Sequence, residues 1–379
     1  MRFLLKITTL SFLLLSIICC KEKNPSTLDK QVYSAVSNRN AQNFKVEISG
    51  AYKILSIKNP WKGAEKPIRY LLYPKNQNIP KITDGAIPVP VPLEKVICTG
   101  STQIAIMDFL DLNDKIIAVS EADYIFNPNI KKKLKDKKIQ NIGTESSIDM
   151  EKVIALKPDA VFSFSYGKSA SKQKISELGI PLIYISEFME DNPLGRAEWM
   201  LFMSYFFQKE EEAKKQFHQI ANQYDSLKKA AIQKKIKPKV LVGLAQEGTW
   251  YVPGGKSFIS TLIQDAGAEY IWSDYIESGG VPLVFESVYY KGKEADFWIN
   301  VITAENKTQL LSIDKRYRFF KPFQKDKIFS YTKRISDEGA YDFYESAIIR
   351  PDLVLKDLIN IFHQDEIDFK ELYFYQKLN

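Results

Sequence analysis

The chain has 379 residues, of which 45% are hydrophobic and 26% charged, with a net charge of +7 at neutral pH. That length supports two lobes with cores of their own and is too long for one small domain. The densest basic run, "KKKLKDKK" (131–138), reads as solvated surface, so nothing argues for a nucleic-acid partner, and three cysteines make no disulfide framework.

The N-terminus opens with the basic flank "MRFLLK" and the apolar run "ITTLSFLLLSII", then breaks at Cys19 and Cys20 into the polar "KEKNPST". A charged flank, an apolar core too short to span a bilayer and an abrupt return to polarity predict a secretory signal peptide over 1–20. Two cysteines at the end of that core resemble the lipobox of bacterial lipoproteins, in which the thiol is acylated and becomes the new N-terminus. Cys20, preceded by Ile17 and Cys19 at the positions that matter, fits that pattern better than Cys19, preceded by Ser16 and Ile18. The resemblance implies a lipid-anchored protein of the bacterial cell envelope, facing the periplasm. A plain signal peptide cut elsewhere is the alternative. Residues 21–43 read as a flexible tether. With the leader removed one thiol is left, Cys98 in "EKVICTG", read as a small hydrophobe inside a strand.

From 44 to 92 the alternation in "FKVEIS", "AYKILSI" and "IRYLLYP", followed by the proline-rich "IPVPVP", predicts a β-rich extension of hairpins and edge structure. Between 93 and 195 the rhythm becomes strand, turn, helix. "KVICTG" is a strand, "STQIAIMDFL" a helix capped by Ser101 or Thr102, and "KIIAVS" a strand. "PNIKKKLKD" is a helix and "IQNIG" a short strand. A helix from Asp149, the strand "AVFSFS", the helix "SASKQKISELG" stopped at Gly179 and the strand "PLIYIS" complete the first α/β lobe. Alternation of this kind places helices on the faces of a mostly parallel sheet. Residues 196–236 are helical. The second helix there carries Ala213, Phe217, Ile220, Tyr224 and Leu227 as one apolar stripe, with Glu210–Glu212 at its start and Lys234 and Lys235 at its end. At about 24 residues and 1.5 Å each it would run about 36 Å, enough to reach from one lobe to another. From 237 to 379 the alternation restarts with "KVLVGLAQ", "SFISTLIQDAG", "AEYIW" and "KIFSY", ending on the helix "PDLVLKDLINIFH". The fold class is therefore α/β: two lobes with central mostly parallel sheets, one long helix joining them and a cleft between.

One phrase occurs twice. "DMEKVIALKPDAVFSF" (149–164) and "VFESVYYKGKEADFWINV" (284–301) each start a short helix with a glutamate near the front and run into an apolar strand. Together with "VICTGSTQIAIMDFLDLNDKIIAVS", "YVPGGKSFISTLIQDAGAEYIW" and "PLGRAEWMLF", this order of motifs resembles the substrate-binding proteins of ABC importers for ferric siderophores, haem and cobalamin. The resemblance covers about 93–379 and leaves 44–92 as an addition. It implies lobes joined by a rigid helix, a small-molecule metal complex in the cleft, and delivery to an ABC permease. In the cobalamin-binding members a glutamate at a helix start in each lobe contacts permease arginines. Glu151 matches the first through its "MEKVIALKPD" context. Glu286 matches the second more loosely, because "KGKEAD" is about two residues longer than "ALKPD". A first-turn glutamate also complements the helix dipole with no partner at all.

His218 and His363 are the only histidines and lie far apart, so no three-ligand metal set is visible and no cofactor is expected. A metal would have to arrive already chelated. Large chelates are held by aromatic faces with a few donors, and the strand ends supply candidates. These are Tyr124 in "EADYIF", Phe164 and Tyr166 in "SFSYGK", Trp250 and Tyr251 in "GTWYVPGG", and Tyr344 and Arg350 in "YDFYESAIIRPD". By position Phe164 matches an aromatic that lines the cobalamin cleft in the resembled family. Each aromatic alternatively packs in a core, and Arg350 either clamps an anionic ligand or pairs with a nearby carboxylate. No nucleophile–base pair or dinucleotide fingerprint is visible, and "VPGGKS" lacks P-loop spacing. A monomeric binding protein rather than an enzyme is expected. A chelatase-like enzyme on the same fold and a surface lipoprotein adaptor are the alternatives.

Overall fold

In the computed structural model, which describes residues 33–77, 79, 85–164, 170–302, 304, 306–363 and 371–379, the alternating stretches of the extension form a five-stranded sheet. Its strands are Ser34–Val36, Phe44–Ser49, Tyr52–Ile57, Ile68–Pro74 and Ile87–Val91, in that order. The first four pair antiparallel and the last pair is parallel. Pro88 and Pro90 fall on the edge strand, the one place in a sheet where the missing N–H costs little. The sheet is not a separate body. Phe44 meets Trp199 edge-on at 5.2 Å, and the Tyr70 hydroxyl donates to the Leu182 carbonyl at 3.1 Å while accepting the Tyr184 N–H at 2.9 Å.

The expected tether of 21–43 is corrected from Ser34 onward. Ser34–Val36 is a strand, and the buried Glu198 carboxylate accepts the N–H groups of Arg39, Asn40 and Ala41 at 2.7, 2.7 and 2.6 Å. Buried Glu190 takes those of Gln42 and Asn43 at 3.0 and 2.9 Å. A polar stretch that looks unstructured locally is ordered by two carboxylates far along the chain. The leader over 1–20 with Cys20, the earlier tether and Tyr166 lie outside the described residues. Among the described residues no helix is long and apolar enough to cross a membrane.

The first lobe is the expected parallel sheet, with spatial order Leu182–Tyr184, Ala160–Ser163, Val96–Cys98, Ile116–Val119 and Gln140–Asn141. Cys98 is fully buried, and burial pushes its thiol well above the usual range, as a packing residue requires. In the second lobe Glu269–Tyr270, Lys239–Val242, Phe297–Ile299 and Ile328–Ser330 are parallel, and Gln376–Lys377 closes the edge antiparallel. A small antiparallel sheet of Ala245–Gln246, Thr249–Pro253 and Gly280–Leu283 stands beside it.

Two helices carry the chain between the lobes, Pro193–Ser204 and Glu210–Ala231. The second has 22 residues, about 33 Å at 1.5 Å per residue, and buries Ala213, Phe217, Ile220 and Tyr224 with Leu227 half-buried. It stops at Ala231, so Lys228 and Lys229 occupy the last turn and Lys234 and Lys235 lie beyond it. Tyr224 donates to Asp265 at 2.7 Å and Lys228 pairs with the same carboxylate at 2.9 Å, fixing the helix to the second lobe.

Candidate functional site

In a parallel α/β sheet the loops that leave the carboxyl ends of the strands are where ligands are met. Among the described residues two recesses are built from such loops, one per lobe. The first, about 260 Å³, is lined by Thr99–Ser101 after Val96–Cys98, by Glu121 and Tyr124 after Ile116–Val119, and by Phe164 after Ala160–Ser163. Gly100 is required there, because a Cβ on it would stand 2.9 Å from Cδ1 of Phe164. The Phe164 carbonyl accepts from buried Lys172 at 2.9 Å, and Lys172 is in turn paired with Glu145. Glu121 holds its own loop by accepting the Glu145 N–H at 2.8 Å.

The second recess, about 180 Å³, is lined by Gly243 and Gln246 after Lys239–Val242, by Asn300 after Phe297–Ile299, by Tyr331 after Ile328–Ser330, and by Tyr251. Asn300 is left-handed, with φ of 61°, and accepts the Tyr375 hydroxyl at 2.8 Å. Burial, with the Tyr344 hydroxyl as the next cause, pushes the Tyr331 phenol well above its usual range, so it stays neutral.

Tyr344 joins the two recesses. Its hydroxyl is hydrogen-bonded to that of Tyr331, while its carbonyl accepts from Ser101 Oγ at 3.2 Å. The same segment of the second lobe reaches the first at further points. Phe126 N–H donates to Glu345 at 2.8 Å, and Lys131 donates to Ser336 at 3.1 Å and pairs with Glu338. Glu345 is buried, and burial raises its carboxyl to about 8, with Asp342 adding to the shift and the Phe126 N–H opposing it.

Of the residues expected in the cleft, Tyr124, Phe164, Tyr251 and Tyr344 are at these recesses, with Tyr124 72% and Tyr251 53% exposed. Trp250 is corrected. Side chains alternate along a strand, so Trp250 and Tyr251 in Thr249–Pro253 face opposite ways. Trp250 is 0% exposed, stacks on Trp298 at 5.6 Å and donates its indole N–H to the Val242 carbonyl at 2.9 Å. Arg350 as an anion clamp is corrected too: Nε and Nη2 grip the buried Asp352 carboxylate at 2.9 and 2.7 Å, the other reading of that residue. Gly100, Glu121, Gln246, Asn300 and Tyr331 carry no motif in the sequence, and Ser101 reads there only as a helix cap, a position the structure gives to Gly100. The rule of carboxyl strand ends would have found all but the register of each loop.

Glu151 and Glu286 lie in the first turns of Met150–Leu156 and Phe285–Gly292, each helix preceding a parallel strand of its lobe. Both glutamates therefore stand at the carboxyl edge of a sheet. Glu151 is exposed. The Glu286 side chain is 75% exposed and pairs with Arg316 at 3.0 Å, a surface contact worth little. Neither is buried in a core ion pair.

Among the described residues no group of three or more His, Cys, Asp or Glu side chains could hold a metal ion. His218 is exposed on the linking helix, and a ring nitrogen of His363 sits 2.8 Å from the Ala266 carbonyl.

A model of the family described as periplasmic binding protein matches residues 96–308. An uncharacterized lipoprotein of Methanocaldococcus jannaschii is 27% identical over 330 residues, covering 82% of this chain and 76% of its own. Among solved structures, one described as a possible iron-binding (periplasmic solute-binding) protein from Staphylococcus epidermidis superposes with a TM-score of 0.58 at 17% identity, covering 72% of this chain and all (100%) of that one. The periplasmic vitamin B12 binding protein of Vibrio cholerae superposes with a TM-score of 0.52 at 15% identity, covering 72% and 97%.

Proposed function

The chain belongs to the periplasmic binding protein family, and from that premise we propose that it captures a pre-formed metal chelate between its lobes and delivers it to an ABC permease. The observation that carries this reading is the convergence of Tyr124, Phe164, Tyr251 and Tyr344 on two recesses at the carboxyl strand ends, joined through the Tyr331–Tyr344 contact. Aromatic faces supply area and polarisable contact to a large flat or globular complex, and the hydroxyls and amides beside them suit its peripheral oxygens. A fold neighbour named for vitamin B12 and another described as possibly iron-binding support the ligand class. Phe164→Ala and Tyr251→Ala should each weaken chelate binding by about 1–3 kcal/mol, measured by titration calorimetry. Unchanged affinity in both variants would move the site away from these recesses.

Delivery would run through Glu151 and Glu286, the matched exposed carboxylates of the two lobes. Rim charges register a partner and raise its on-rate more than they add affinity. Glu151→Ala should leave chelate binding intact while slowing uptake into vesicles that carry the cognate permease. The double variant with Glu286→Ala should be slower than either single one, and arginine at both positions slowest. Normal uptake by the double variant at limiting protein concentration would remove both residues from docking.

Anchoring is read at Cys20, in keeping with the lipoprotein name of the archaeal relative. Labelled palmitate should enter the wild-type protein and not Cys20→Ala. Label retained in that variant would shift the anchor to Cys19.

A further inference from the structure

The charges around the two recesses are one-sided. Of the described residues that line them, Glu121 alone carries a full charge, and it is negative; the remaining polar groups are hydroxyls, phenols and the amides of Gln246 and Asn300. Four basic side chains on the surrounding described segments, Lys172, Arg196, Arg334 and Arg350, have their charge or their donors already engaged. Lys172 is paired with Glu145 and bonded to the Phe164 carbonyl. Arg334 is paired with Asp342, and Arg350 with Asp352. Arg196 donates to the carbonyls of Glu190 and Phe188 at 3.0 and 3.1 Å, with its guanidinium 4.0 Å from the Phe258 ring centre. An anion entering such a site gives up its hydration, meets no described counter-charge and stands near a carboxylate. A neutral complex meets none of that penalty, and a cation gains from Glu121.

We propose that the cleft selects an uncharged or net-cationic metal complex and discriminates against anionic chelates, with Glu121 as the specificity-determining charge. The inference rests on the reading of the protein as a chelate-capturing one and narrows its substrate class.

The test is calorimetric titration with five probes: a neutral and a monocationic ferric trihydroxamate, cyanocobalamin, a trianionic ferric tris-catecholate, and haem with its two propionates. The tightest neutral or cationic probe should bind at least tenfold more tightly than either anion. Glu121→Gln keeps an acceptor for the Glu145 N–H, so its loop should hold. It should weaken a cationic probe more than a neutral one and narrow the gap to the anions. Added salt should weaken only the cationic probe. An anionic chelate as the tightest ligand, losing affinity with salt, would overturn the charge selection while leaving chelate capture standing. Binding of none of the five would bring down chelate capture and this inference together.

Discussion

Trp250→Ala is expected to destabilise the second lobe by about 3–5 kcal/mol, the range for deleting a large aromatic from a packed core. Trp250 is wholly buried among Trp298 at 5.6 Å, Tyr317 at 5.7 Å and Phe320 at 6.0 Å. Its indole N–H also satisfies the Val242 carbonyl, and Trp298 does the same for the Gly243 carbonyl at 2.7 Å. These two carbonyls belong to the strand end that lines the second recess, so the tryptophan pair supports the wall without forming it. Urea unfolding should show the loss directly. The conservative Trp250→Phe, which keeps most of the ring packing, should lose less stability and bind the chelate with nearly native affinity. A large loss of binding in the folded Trp250→Phe protein would return this residue to the cleft.

The second large effect is on pH. Glu345 holds its carboxyl near pH 8 in the folded protein against an ordinary 4.5, because burial between the lobes disfavours the charged form. Between those two values the folded state binds more protons than the unfolded chain, so stability falls as pH rises through that window and levels off above it. The groups whose carboxyls are held low, such as Asp149 by the Lys152 N–H and Asp274 by the Lys291 ammonium, contribute only at the acid end. Since Glu345 meets the Phe126 N–H of the other lobe, the loss should be felt at the lobe contact first. Denaturant midpoints measured from pH 5 to 8.5 should decline for the wild type and be markedly flatter for Glu345→Gln. Parallel curves for the two proteins would remove Glu345 as the cause.

Most of the architecture was legible because two periodicities carry it. Short apolar runs alternating with helical segments gave both parallel sheets in order, and the stripe Ala213, Phe217, Ile220, Tyr224 marked the linking helix to within a few residues. The doubled phrase reads as each lobe's helix-then-strand unit, with Glu151 and Glu286 in matching first turns. What was hidden depends on contacts distant in sequence. The ordering of 39–43 comes from Glu190 and Glu198, and the small sheet around Thr249–Pro253 pairs with a strand some thirty residues away, Gly280–Leu283. At the site, strand alternation separates Trp250 from Tyr251, and that was available from the sequence once the strand was recognised. Asn300 and Tyr331 follow parallel strands whose exact ends are set by the sheet register, which local sequence does not carry.

The central claim is that an intact chelate, rather than a bare metal, is the cargo. Native mass spectrometry with bare ferric ion and with the panel of ferric siderophores, haem and corrinoids tests it most directly. The account predicts one bound complex per chain, with the mass of the whole chelate and reduced occupancy in Phe164→Ala, and no retained bare metal. Stoichiometric retention of bare ferric ion, or no adduct with any chelate, would contradict it.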